Sequence, residues 1–166
     1  HLVVAGDFQG SEMRKKINSL FGKFENFKLK PVKRAKEPKQ KLARIKVESC
    51  SFEEAHLYMA WPIPGLDHKD IPALDLLGMI LGTGESSRLI QKLRMQEPLC
   101  NSVGAGTFTP KEQGLFMVYG QLNPENLSKT MSILQTELER IMLEAPSAAE
   151  IRRAITNLES DEFYAL

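Results

Sequence analysis

Histidine is scarce in this 166-residue sequence, with three in all: His1, His56 and His68. Neither HExxH nor its inverse HxxEH occurs, so no helix brings two zinc-ligating histidines together with a carboxylate. Glu54 and His56 are two residues apart and would share one face of a strand, but no third ligand accompanies them. Asp67, His68 and Asp70 form a turn triplet of ordinary loop composition. The chain is therefore expected to hold no metal and no other cofactor of its own. Cysteine is equally sparse: Cys50 and Cys100 lack the CxxC spacing and read as two buried free thiols. No apolar run approaches the roughly 18–20 residues of a membrane span. The first residues lack a basic segment, an apolar core and a small-residue cleavage site, so any targeting signal would lie outside them. The compartment stays open.

What is present is the composition of one soluble globular domain, with 42% hydrophobic and 26% charged residues and a formal net charge of +1. Leu2–Ala5 reads as an opening strand and the last residues as a helix still running. His1 is either native or a remnant of a tag. Both ends read as cuts in a longer chain.

Residues 28–46 hold nine Lys or Arg against the single acid Glu37, leaving 13 basic and 20 acidic residues elsewhere. Pro31, Pro38 and the missing apolar period mark 28–42 as a basic surface connection. Nucleic-acid binders interleave such charge with stacking aromatics, and here Phe24 and Phe27 stand only at the start. No nucleic-acid partner is expected.

Periodicity places the elements. Met13, Ile17, Leu20, Phe21 and Phe24 fall at helical spacing behind Gly10 or Ser11. Ala43–Ser51 and Glu54–Trp61 read as strands, the second ended by Pro62 and Pro64; a long connection or hairpin joining them reads equally well. Asp70 reads as an N-cap, with Pro72 in the first turn of a helix that Gly82-Thr83-Gly84-Glu85 breaks. Ser86 or Ser87 restarts a helix through Arg94 that Pro98 helps to stop. Asn101–Phe108 and Leu115–Leu122 form strands around a Thr109–Gly114 loop. Asn123-Pro124 opens a helix striped by Leu127, Met131, Leu134, Leu138, Ile141 and Met142. Ser147-Ala148-Ala149-Glu150 is a capping box. The order β-α-β-β-αα-β-β-α-α predicts an α+β fold, a largely antiparallel sheet with helices on one face.

Neither Ser86 nor Ser87 is a nucleophile by pattern. Their segment lacks the second glycine of GxSxG and joins two helices, whereas a nucleophile elbow joins strand to helix. Gly82-Thr83-Gly84 follows a helix and lacks phosphate-loop spacing. The residues by themselves offer no self-contained active site.

Several segments together resemble the second, non-catalytic domain of the insulinase-like (pitrilysin-type, M16) zinc metallopeptidases, including the processing peptidases. They are Leu2-Val3-Val4-Ala5-Gly6-Asp7, Ala60-Trp61-Pro62-Ile63-Pro64-Gly65, Asp70-Ile71-Pro72-Ala73-Leu74 and Leu81-Gly82-Thr83-Gly84-Glu85-Ser86-Ser87-Arg88-Leu89. Thr109-Pro110, Gly114-Leu115-Phe116 and Asn157-Leu158-Glu159-Ser160 extend the likeness over nearly the whole chain. The resemblance implies a metallohydrolase-type domain in a clamshell of homologous domains around an unfolded peptide substrate. It implies zinc in the parent enzyme, bound by the preceding domain, and a second half or partner subunit. Family members stabilise the transition state with an Arg and a Tyr in a segment LRxxxxLxY. Leu93, Arg94 and Leu99 match it, but Asn101 stands where the tyrosine would be. The pair is incomplete, so this chain is expected to be inactive by itself and to belong to the zinc-bearing half. Arg88, Arg94 and Asn101 are its candidate peptide-contacting residues, with Arg94 an auxiliary donor to an oxyanion. Two other readings stand beside this one: a structural or partner subunit without protease activity, and a stand-alone binding module.

Overall fold

The computed structural model describes residues 2–25 and 37–164, apart from the side chains of Glu162 and Tyr164. Most of the basic segment, residues 28–36, lies outside these residues. The chain divides into two compact units, His1–Lys39 and Gln40–Leu166.

The first unit contains helix α1, Gly10–Phe21. The Gln9 carbonyl accepts from the Glu12 and Met13 amides, and the Gly22 amide closes the other end onto the Asn18 carbonyl. Met13 and Ile17 are half-buried, whereas Leu20, Phe21 and Phe24, which share their apolar spacing, are exposed. Leu2–Ala5 is irregular and not the expected strand. An extended segment becomes a strand only when a neighbour takes up its amides and carbonyls, and no strand among the described residues pairs with this one.

The second unit is built on strands β1 (Ala55–Pro64), β2 (Cys100–Phe108) and β3 (Gln113–Leu122). They form an antiparallel sheet in the order β1-β3-β2. β2 and β3 are a hairpin, and β1 adds to the outer edge of β3. The expected strand at Ala43–Ser51 is absent: the segment is irregular, with Ile45 and Val47 almost fully exposed. Alternation of side chains prepares a segment for pairing but supplies no hydrogen-bonding partner, and among the described residues β1 pairs with β3 alone. The α+β architecture stands with fewer strands than the periodicity predicts.

Helices α2 (Ile71–Gly82), α4 (Leu127–Leu143) and α5 (Ala148–Tyr164) accompany the sheet. A short helix α3, Arg88–Ile90, runs directly into a π-helical turn, Gln91–Gln96. The alternating Phe116, Val118 and Leu122 of β3 point to the helices and meet Leu81, Leu89, Leu93 and Leu134 in one core. Val118, Leu122, Leu81, Leu89 and Leu93 are completely buried. Each such side chain contributes roughly 1.5–3 kcal/mol. Trp61 of β1 lies on the same face, with its ring centroid 6.4 Å from that of Phe116.

Two glycines set how closely layers approach. A Cβ at Gly82 would lie 2.0 Å from the Ala105 amide nitrogen and 2.5 Å from the Gly104 carbonyl carbon. The end of α2 therefore rests backbone to backbone on β2. On the opposite side of the sheet, the Tyr119 ring covers Gly104, where a Cβ would meet it at 2.7 Å.

Helix starts follow the sequence unevenly. Ser147 and Glu150 form the reciprocal capping box: the Glu150 amide donates to Ser147 Oγ, and Glu150 Oε2 accepts from the Ser147 amide and hydroxyl. Asp70 occupies the N-cap of α2 and Asn123 that of a 3₁₀ turn, Pro124–Asn126, before α4, but neither side chain bonds the helix.

Candidate functional site

The three candidate peptide-contacting residues stand in different surroundings, and no hydrogen bond or ion pair joins them among the described residues. Arg88 begins α3, and its guanidinium grips Glu150 of α5 with Nε–Oε1 at 2.7 Å and Nη2–Oε2 at 3.2 Å. Both side chains are largely buried, 15% and 19% exposed. This fork, rather than a free cation, is what the Ser-Ser-Arg-Leu segment places there. The Arg88 hydrogen bonds hold the Glu150 carboxyl down at about 2, helped by the Ser147 amide and hydroxyl and opposed by desolvation. Arg88 Nη1 and the neighbouring Ser87 Oγ are buried without a partner. Ser87 sits at the N-cap of α3 without bonding it.

Arg94 lies in the π-helical turn with an exposed side chain and no ion pair among the described residues. Buried Leu93 beside it anchors the turn in the core. Asn101 is the extra residue of a β-bulge, because Cys100 pairs with Leu122 while Ser102 pairs with Gln121. Its Nδ2 donates to Glu54 Oε1 at 2.5 Å, which ties β2 to the residue just before β1.

Glu54 precedes β1, and the His56 ring stacks near Phe52, 5.6 Å between centroids. His68 Nδ1 is 3.7 Å from an Asp70 carboxylate oxygen and accepts from the Asp70 amide. Among the described residues no group of three or more His, Cys, Asp or Glu is arranged to hold a metal ion. The donor set does not fit zinc. The two thiols are free, as read, but only Cys100 is buried; Cys50 is exposed in the irregular segment before β1. Burial raises the Cys100 thiol, partly offset by its contact with Thr130 Oγ1. No described helix is long and apolar enough to cross a membrane.

The surface that the sequence reading missed is the side of the sheet turned away from the helices. The strand register arranges it in four rows: Pro62–Leu115–Phe108, Ala60–Met117–Gly106, Tyr58–Tyr119–Gly104 and His56–Gln121–Ser102. None of these twelve positions carries Asp, Glu, Lys or Arg, in a chain that is 26% charged. Tyr58 is 69% exposed and Phe108 59% exposed, and the Tyr58 and Tyr119 rings lie 6.4 Å apart. The signal was present in Leu115–Tyr119, which is apolar at both odd and even positions. A strand with one wet face would alternate instead.

The sequence profile described as the peptidase M16 inactive domain matches residues 1–158. An uncharacterized zinc protease of Streptomyces coelicolor is 28% identical, aligned over 96% of this chain and 36% of its own length. The zinc protease PqqE of Helicobacter pylori is 27% identical over 96% of this chain and 37% of its own. The chain thus spans little more than a third of these relatives. Among solved structures, a protease from Helicobacter pylori superposes with a TM-score of 0.76 at 26% identity, over 96% of this chain and 40% of that one. The M16 inactive domain from Pseudomonas fluorescens gives 0.61 at 27% identity, over 66% of this chain and 27% of that one. With the profile matched over residues 1–158 and a fold of the same kind, this chain belongs to the M16 peptidase inactive-domain family.

Proposed function

We propose that this chain is a substrate-chamber domain of a zinc-dependent endopeptidase, presenting its open sheet face to an unfolded peptide while another domain of the parent binds zinc. The observation that carries this reading is the uncharged, aromatic-rich face left bare because α2, α4 and α5 gather on the other side. Exposed Arg94 belongs to the helical layer, so it lines the chamber beyond this face rather than on it. Arg88 makes no contact with the peptide, since Nε and Nη2 hold Glu150 and Nη1 is buried. Asn101 marks the polar end of the face. A second half or partner subunit supplies the remaining wall and the complete Arg/Tyr pair.

The test is cleavage of an unfolded, quenched-fluorescent peptide by the full-length protein that carries this chain. Chelation is expected to abolish cleavage, and Arg94→Ala to slow it by less than about 10³-fold, below the loss of a principal oxyanion donor. A photo-crosslinker at Tyr58 should capture the peptide. Cleavage unaffected by chelation would overturn the zinc-peptidase reading. Absence of any cleavage, with peptide still captured, would favour the structural or partner-subunit reading.

A further inference from the structure

We propose that the Arg88–Glu150 fork is a latch, docking α5 as a helix that opens separately from the rest of the second unit. The proposal stands independently of the peptidase reading. Helix α5 meets the layer below it along one narrow stripe. Glu150, Ala154 and Leu158, spaced four apart, are the only described side chains of α5 that are not exposed, and of these only Ala154 is buried. An alanine methyl removes far less apolar surface from water than the leucines that close the core, Leu81, Leu89, Leu93 and Leu134. Yet a helix of 17 residues takes most of its stability from tertiary packing. On this stripe the bidentate bond from Arg88 stands where a large apolar side chain would otherwise be needed.

The neighbouring layer is held differently. Helix α2 is pinned to the sheet by its backbone approach at Gly82 and by a hydrogen bond from Thr107 of β2 to Asp75. Helix α5 lies chiefly against α2, and a cleft of about 170 Å³ parts it from the α2–α3 loop. Thr83, Glu85, Ser86, Arg153 and Asn157 bring polar groups to that cleft, so the loop gives α5 little apolar contact. Glu150 also closes the capping box with Ser147, so one carboxylate both starts α5 and docks it. Without Arg88 that carboxylate stays largely buried and loses its cation, and undocking α5 returns it to water. Opening would uncover Met79 and Ile80 of α2 and release the start of α3, which runs into the turn carrying Arg94.

Hydrogen exchange read by mass spectrometry on the full-length protein that carries this chain tests the latch. In the unmodified protein, residues 148–164 are expected to open with a shallower urea dependence than β2 and β3, as a unit smaller than the whole. Arg88→Met and Glu150→Gln should each speed exchange across α5 at least about tenfold while leaving β2 and β3 within about twofold. Both remove the same bond, so the double variant should go little further than either single one. Ser147→Ala weakens the cap and leaves the fork, and should loosen only the first turn of α5. Glu150→Gln keeps a capping acceptor and carries the test if Arg88→Met fails to fold. Unchanged exchange across α5 would show that other contacts hold it. An equal rise in α5 and the sheet would make the fork part of one cooperative core. Either result overturns the proposal.

Discussion

Replacing Arg88 by Met should flatten the acid limb of the stability curve. In the folded chain the Glu150 carboxyl ionises at about 2, against an ordinary value of 4.5, with the Arg88 hydrogen bonds the largest cause. A depressed carboxyl means that the unfolded chain binds more protons through this window, so folding stability rises with pH across it. The contribution is complete above about pH 4.5 and is lost as pH falls toward 2. A shift of this size corresponds to about 3 kcal/mol at most, and to about 2 kcal/mol once partial solvent screening is allowed for. In Arg88→Met the Ser147 bonds remain, so part of the depression survives, while Glu150 keeps its burial without its cation. Urea unfolding followed by the single Trp61 at several pH values between 2 and 5 would measure this. The parent is expected to lose about 1–2 kcal/mol more than Arg88→Met on acidification. Parallel curves for the two proteins would refute the reasoning, since every other carboxyl is common to both. A double-mutant cycle with Glu150→Gln should show coupling of the same sign.

Two further outcomes follow from packing. Gly82→Ala should destabilise by roughly 1–3 kcal/mol in thermal or urea unfolding, because its Cβ would press on the β2 backbone; a gain of about 1 kcal/mol, normal for an open helical glycine, would show that α2 does not rest there. Iodoacetamide should label Cys50 rapidly in the native chain and Cys100 only on unfolding, read by mass spectrometry, because burial both shields the Cys100 thiol and raises it.

Local pattern was enough to read much of this protein. The Asp70–Pro72 start and glycine-rich stop of α2, the apolar stripe of α4, the capping box at Ser147–Glu150 and the β2–β3 hairpin all depend on residues close in sequence. The segment Gly82-Thr83-Gly84-Glu85-Ser86-Ser87-Arg88-Leu89 was recognisable as a family feature, but its physical use was not. Arg88 meets Glu150 across 62 residues, and that pairing became visible only in the fold. The π-helical turn carrying Arg94 was also hidden, because so short a segment of i→i+5 bonding has no signature of its own in composition or capping.

Residue order and pattern alone carried the α+β class, the absence of a paired-histidine zinc motif and the family to which those segments belong. Tertiary structure decided which strands find partners, which arginine is committed and which is exposed, and which side of the sheet stays bare. Local propensity and spacing act within a few residues. Pairing and burial depend on what the chain brings from far away, and at Leu115–Tyr119 only the position of the helices separates core from open surface.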